Sequence, residues 1–244
     1  MKIVLVGYGK MGQAIEQLAI ARGHQIVEII EANELRKFES LGPDSADVAI
    51  EFTQPNAAVA NYKRLIAAGL PVVTGTTGWL NQEEDIKALA QARGIGFLYA
   101  SNFSPGVNIL FSLNRQLAKL MNRQTGYDVF LEERHHRYKK DSPSGTAEQL
   151  ANDLLAGLDR KQQLAQPGEL NNRPPADEEL SIGVTRAGEI KGEHRVVYES
   201  AIDRIEISHQ AYSRQGFALG AVLAAEWLPG RAGWFSMQDV LESG

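Results

Sequence analysis

No cysteine occurs among the 244 residues. Disulfides, thiolate metal sites and a cysteine nucleophile are therefore excluded, and with the nucleophile goes any aldehyde-oxidising thioester mechanism. The absence fits a reducing compartment, so the expected location is the cytoplasm. A long apolar run is missing too, so no segment reads as a membrane span. The stretch from Met1 to Gly7 is apolar but meets glycine at once and lacks a small-residue cleavage site, and it reads as a first strand rather than a signal peptide. Positive charge is in deficit, with 25 Lys and Arg against 30 Asp and Glu, which gives no general attraction for nucleic acid or an anionic membrane. Any anionic ligand must be held by a local site. The remaining composition, 43% hydrophobic and 23% charged, is that of a packed globular chain, and the length suits one large domain or two modest ones.

What is present alternates. Short β-branched runs at Lys2 to Val6, Gln25 to Ile30, Asp47 to Phe52, Leu70 to Thr74 and Ile95 to Ala100 are separated by segments of helical period. The expected helices are Met11 to Arg22, Pro55 to Ala68 and Gln82 to Arg93, ended by Gly23, Gly69 and Gly94. That is a parallel α/β pattern with helices on both sheet faces. After Asn102 the rhythm changes: a helix from Val107 to Met121 is followed by strand-like runs at Tyr127 to Arg134, Leu180 to Ala187, Glu193 to Ser200 and Arg204 to Ala211. Consecutive strands suggest a largely antiparallel sheet. Gln166 to Glu179 reads as an irregular loop. An Ala-rich helix from Arg214 to Trp227 and a tail from Met237 to Leu241 are expected to return to the first domain.

Gly7-Tyr8-Gly9-Lys10-Met11-Gly12 is G-x-G-x-x-G set between the first strand and the first helix. Glycines there allow a tight turn, close approach to a pyrophosphate and close helix packing, while the helix N-terminus attracts the phosphates. Glu31, at the end of the second strand and roughly 20 residues on, can accept from ribose hydroxyls. Ala32 follows, so no adjacent arginine greets a 2′-phosphate, although Arg36 and Lys37 are close by. Gly75-Thr76-Thr77-Gly78 and Ala100-Ser101-Asn102-Phe103 lie at carboxyl ends of strands, where open α/β sheets bind ligands; read alone, they are as readily plain turns.

The most specific string runs from Glu133 to Ala147: E-R-H-H-R-Y-K-K-D-S-P-S-G-T-A. Strand alternation places Val129, Leu131, Glu133 and His135 on one side and His136 on the other. A helix then starts with Ser144 or Thr146 as cap, and the amides from Gly145 to Ala147 make an anion seat. Two histidines, Lys139 and a helix N-terminus form a cationic cradle that suits a small dianion and can donate a proton. No metal is expected, because neighbouring histidines on opposite strand faces do not converge on one ion.

With its H-H-x-x-K-x-D-x-P-S-G-T-A string, the chain resembles the dihydrodipicolinate reductase family of the diaminopimelate and lysine route. Ordered matches extend along nearly all of it, through Glu51-Phe52-Thr53-Gln54-Pro55, Gly75 to Gly78, Asn102-Phe103-Ser104, Val184 to Gly188, Gly192-Glu193-His194 and Ser213 to Phe217. The resemblance implies a Rossmann-type dinucleotide-binding domain, 1–104 with 214–244, and a smaller α+β substrate-binding and oligomerisation domain, 105–213, with an open mixed or antiparallel sheet. Positions matching the family's NADH or NADPH site are Gly7, Gly9, Lys10, Met11, Gly12, Glu31, Phe52, Thr53, Gly75, Thr76, Thr77, Ala100, Asn102 and Phe103, with Arg214 and Phe217 near the nicotinamide. Substrate positions are His136, Lys139, Ser144, Gly145 and Thr146, and His135 and Lys139 match the proton donors.

The implied reaction passes hydride to ring C4 of a cyclic imine dicarboxylate and then adds a proton. Ala32, where NADPH users of the family often carry arginine, leans the expectation towards NADH. A homotetramer through the second domain is also implied, and Val196, Tyr198, Ile205 and Ile207 are expected to present apolar side chains on both faces of its strands. The competing readings are another two-domain NAD(P)-dependent dehydrogenase and a non-catalytic NADH sensor.

Overall fold

The computed structural model describes residues 1–165 and 173–242. It divides into two compact units, Met1–Pro105 with the chain from Gln215 onward, and Gly106–Arg214.

The first unit opens with β1 (Lys2–Val6), α1 (Lys10–Ala21), β2 (Gln25–Ile30), β3 (Val48–Glu51), α2 (Pro55–Ala67), β4 (Val72–Thr74), α3 (Glu83–Ala92) and β5 (Gly96–Tyr99). Gly23, Gly69 and Gly94, with φ of +84°, +79° and +62°, end the three helices in the left-handed conformation that a side chain resists. Pro55 opens α2, where its missing N–H costs nothing, and Glu83, Glu84 and Asp85 face the positive end of α3. Within β1, Ile3 and Leu5 join the core beneath α1, while Val4 and Val6 join the one beneath α2 and α3. Burial on both faces is why these strands read as continuous apolar runs.

The second unit contains α4 (Pro105–Met121), β6 (Asp128–His135), α5 (Gly145–Gly157), β7 (Gln163–Leu164), β8 (Glu179–Arg186), β9 (Glu193–Glu199) and β10 (Arg204–Gln210). Its sheet runs β10-β9-β6-β8-β7. Pairs β6·β9 and β9·β10 are antiparallel, but β6·β8 and β7·β8 are parallel. The expected largely antiparallel sheet is therefore mixed, because α5 carries the chain across the sheet and β8 enters alongside β6 in the same direction. Of the expected loop Gln166 to Glu179, residues 166–172 lie outside the described residues. Beyond them Arg173 clamps Glu179 through a two-pronged ion pair at 2.7 and 2.8 Å, and Glu179 already begins β8.

One expectation about this sheet is overturned. Val196, Tyr198, Ile205 and Ile207 do not lie on both faces: the register sets Ile205 opposite Tyr198 and Ile207 opposite Val196, so a two-residue period puts all four on one face. That face holds the core built with α4 and α5, in which Val196 and Tyr198 are buried and Ile207 packs against them. The opposite face carries Phe130 and Val197 beside charge, with Arg195 pairing to Glu132 at 3.5 Å and to Glu206 at 3.1 Å.

From Gln215 the chain returns as α6 (Gln215–Trp227), β11 (Gly233–Phe235) and α7 (Met237–Glu242). It completes a parallel six-stranded sheet of order β11-β5-β4-β3-β1-β2. Strand β11, too short to show a period, was not anticipated; Trp234 stacks flat on Phe97 at 4.6 Å. Met237 is buried in the first core, in the unit to which the tail was expected to return. Helix α6 approaches the loop after β5 so closely that a Cβ at Gly220 would stand 1.6 Å from the Phe103 carbonyl oxygen.

Candidate functional site

In the first unit the sequence-predicted nucleotide residues follow the carboxyl ends of successive strands. Gly7, after β1, has φ +91°, and a Cβ on it would fall 2.2 Å from the Phe52 carbonyl oxygen; a Cβ on Gly12 would fall 2.2 Å from the carbonyl of Gly7. Gly9 differs: nothing among the described residues lies within 4 Å of a Cβ built there. Gly9 is the N-cap of α1, with no side-chain cap. Clear space beside Gly9 thus lies at the positive end of a helix whose first-turn amides are those of Lys10, Met11 and Gly12, which fits a pyrophosphate.

Glu31 is exposed at the end of β2. Lys37 is held by other partners, donating to the Ile29 carbonyl at 2.8 Å and pairing with Glu34 at 2.9 Å and Glu28 at 3.1 Å. Arg36 is exposed. After β4, a Cβ on Gly75 would stand 2.2 Å from the Phe52 ring, which would have to shift to admit it, and Thr77 is exposed. After β5, Ala100 is buried and Asn102 Oδ1 accepts the Ser104 amide at 2.9 Å. The Phe103 ring is in the core, 5.5 Å from the Phe52 ring. Phe217 is half-buried on α6, and Arg214 is the exposed last residue of the second unit.

The hydroxyls of Thr53 and Thr76 point inward. Both donate to Glu51, as does Thr74, with Thr74 and Thr76 each at 2.8 Å. Thr76 Oγ1 also accepts the Thr53 amide at 2.9 Å, tying the loop after β3 to the loop after β4. Glu51 is fully buried. Sequence reasoning gave it no role; its signal is an acid at a strand end followed by threonines in two successive strand-end turns. Hydroxyl donors in place of a cation satisfy the carboxylate without adding charge beneath the crevice.

In the second unit, β6 alternates as expected and buries Glu133 and His135 on one side. Ser144, rather than Thr146, caps α5, its Oγ accepting the Ala147 amide at 3.3 Å. One amide of the expected anion seat is thus already occupied, while Gly145 is exposed. The Ser144 amide donates to Glu133 Oε1 at 3.1 Å, and its hydroxyl lies 3.0 Å from His194 Nε2. Arg186 donates to the same Oε1 at 2.8 Å. On the other oxygen, Oε2, His135 Nδ1 sits at 3.1 Å and His194 Nε2 at 3.7 Å. Lys139 pairs with Asp141 at 2.8 Å, and His136 is half-buried beside Tyr138.

Burial works against ionising Glu133, but His135, the Ser144 amide and Arg186 outweigh it and hold the carboxyl well below the usual carboxylate range. Burial, with the His135 charge next, lowers His194 from the ordinary 6.5 to about 4, Glu133 offsetting only part of this. His194 is thus neutral in the folded protein near neutrality. Its unfolded form takes up a proton below about 6.5, so the stability it contributes is complete above that pH and is lost as pH falls towards 4. We expect a slope of about 1.4 kcal/mol per pH unit within that window from this one group. Urea unfolding at a series of pH values checks it: His194→Gln should flatten the slope, and an unchanged slope would refute the assignment. Glu133 adds its own loss as pH falls through the ordinary carboxylate value and on below it.

Glu133, His135 and His194 offer ligand atoms within 4.8 Å of one another. The convergence comes from His194, a strand away, and not from the adjacent His136. Arg186 already neutralises the carboxylate at 2.8 Å and would repel a cation there.

Comparison with known proteins agrees with both halves of this picture. Residues 1–103 match the family model described as dihydrodipicolinate reductase, N-terminus, and residues 106–241 the one described as dihydrodipicolinate reductase, C-terminus. The chain is 44% identical to the 4-hydroxy-tetrahydrodipicolinate reductase of Christiangramia forsetii, over 99% of this chain and 98% of that one. It is 38% identical to that of Methanoculleus marisnigri, over 88% and 82%. Among solved structures, the dipicolinate-bound dihydrodipicolinate reductase of Paenisporosarcina sp. TG-14 superposes with a TM-score of 0.75 at 20% identity, covering 97% of each chain.

Proposed function

The chain belongs to the dihydrodipicolinate reductase family, and from that premise we propose how its two units share the reaction. It is an NAD(P)H-dependent oxidoreductase that reduces 4-hydroxy-tetrahydrodipicolinate to tetrahydrodipicolinate in diaminopimelate and lysine biosynthesis. The nicotinamide, when bound, supplies the hydride that goes to ring C4 of the substrate.

The first unit holds the dinucleotide: the amides of Lys10, Met11 and Gly12 take the pyrophosphate, Gly7 and Gly9 keep the turn tight and open, and Glu31 takes the ribose hydroxyls. Gly75, Thr77, Ala100 and Asn102 line the nicotinamide end with Phe52, Phe217 and Arg214. Thr53 and Thr76 contribute through backbone that Glu51 holds in place. In the second unit, His136, Lys139 and the turn Ser144-Gly145-Thr146 orient the two carboxylates, and His135 with Lys139 supplies the proton at the ring nitrogen or the enamine carbon. The observation that carries this reading is the placement of His135, Lys139 and the start of α5 on one connection, around a buried carboxylate that keeps it in order. We place the enzyme in the cytoplasm.

Oxidation of reduced nicotinamide in the presence of the pathway precursor tests the reading. A different dehydrogenase would leave that substrate untouched, and a sensor would bind NADH without turnover. The same assay settles the cofactor. NADH should be at least as good a donor as NADPH in kcat/KM, because Glu31 faces a 2′-phosphate and Lys37 is held by Glu28 and Glu34. A preference for NADPH of roughly tenfold or more would contradict this and point to Arg36.

We further propose a homotetramer assembled through the second unit. Its support is the outer strand β10, half-buried at best along its whole length, with Ile202 and Tyr212 exposed at its two ends. Light scattering at micromolar concentration should give four times the 26.8 kDa chain mass, and a single-chain mass would refute it.

A further inference from the structure

We propose that Glu133 is a positioning residue for His135: facing Nδ1, it holds the ring so that the imidazolium, protonated on both nitrogens, hands its Nε2 proton to substrate and is left neutral with the remaining proton on Nδ1. The proposal rests on the reading of His135 as donor. His135 Nδ1 and Glu133 Oε2 are both buried and face each other at 3.1 Å, a contact short of hydrogen-bond geometry, and neither has another hydrogen-bond partner among the described residues. A Cβ built on Gly192 would come within 3.1 Å of Nε2. The missing side chain at Gly192 leaves room beside the nitrogen that has to reach a ligand. A larger residue at Gly192, where φ is +141°, would press on it.

The other carboxylate oxygen explains why the position requires an acid. Oε1 accepts from both the Ser144 amide and the Arg186 guanidinium, and neither group can do anything but donate. Oε1 must therefore stay an oxygen, and Oε2 is the atom left for His135. A carboxylate has an acceptor for each. An amide of the same shape has one, and Ser144 with Arg186 claims it. In Glu133→Gln the amide nitrogen is forced into the place of Oε2, where it donates to Nδ1 and moves the ring proton of neutral His135 to Nε2. Arg186, fixed also by the Asp141 carbonyl at 2.7 Å, and Ser144, fixed as the cap of α5, keep the amide from turning round.

Nitrogen NMR of isotopically labelled histidine, recorded at alkaline pH where the rings are neutral, tests the proposal on the unaltered enzyme. The His135 proton should be on Nδ1. Finding it on Nε2 overturns the proposal without any variant. Glu133→Gln should move that proton to Nε2 and lower kcat at least ~10-fold, with KM for NADH unchanged. A kcat within a factor of about two of the parent overturns it, as does a lowered kcat with the tautomer unmoved. His135→Gln separates the two readings: full turnover there sinks His135 as donor, whereas a loss in His135→Gln without one in Glu133→Gln sinks only the role of Glu133.

Discussion

His135→Gln and Lys139→Ala are each expected to lower kcat by ~10²-fold or more while NADH still binds. The two side chains stand on one connection from β6 to α5, and they are unlike in their settings. His135 is buried on Glu133, so its loss removes a proton source without exposing new charge. Lys139 is tied to Asp141 at 2.8 Å, and its loss leaves that carboxylate unpaired where a dianion should arrive. Lys139→Ala should therefore also raise KM for the dicarboxylate, which His135→Gln should not. Steady-state kinetics with a parallel NADH titration measures both. Near-normal turnover in the two variants would remove them from the chemistry, and an equal rise in KM would remove the distinction between them.

The second large effect is on stability. Gly220→Ala adds one methyl group to α6, 1.6 Å from the Phe103 carbonyl oxygen. No rotamer relieves a clash between Cβ and backbone, so α6 or the loop after β5 must shift. We expect a cost of about 3 kcal/mol, at the upper end for overpacking, and a fall in Tm of roughly 6 to 12 °C. Gly42→Ala, with nothing among the described residues near its Cβ, should stay within about 0.5 kcal/mol of the parent. Thermal unfolding of the pair decides it, and equal Tm values would mean that the close approach does not exist in solution.

How much of this was legible beforehand depended on distance along the chain. The five N-terminal strands and their helices were readable because burial on both faces writes unbroken apolar runs, and because Gly23, Gly69 and Gly94 need a conformation that other residues avoid. The burial of Glu133 and His135 on one side followed from strand period alone. What brings Arg186 and His194 to them is sheet register, which sets His135 opposite Arg186 and Glu133 opposite His194. Nothing in local periodicity encodes which distant strands pair, so the resemblance implied an open mixed or antiparallel sheet while periodicity alone gave no sign that β8 enters parallel to β6. The misplacement of Val196, Tyr198, Ile205 and Ile207 has the same origin, since a face is defined only relative to a partner strand. Glu51 escaped notice because its partners, the hydroxyls of Thr53, Thr74 and Thr76, come from two strand ends that only the folded sheet brings side by side.

The return of the chain through α6 and β11 has a consequence for biosynthesis. During translation β5 has only β4 beside it, and its far side stays a bare row of amides and carbonyls until β11 emerges. The second unit is one unbroken stretch of sequence and can close as soon as it leaves the ribosome, whereas the first, begun earlier, is finished last. The nascent protein therefore passes through a stage in which one half is mature and the other still offers an open edge. A stall in translation between Trp227 and Gly233 would prolong that stage and leave the nascent chain exposed to strand pairing with its neighbours on the same polysome.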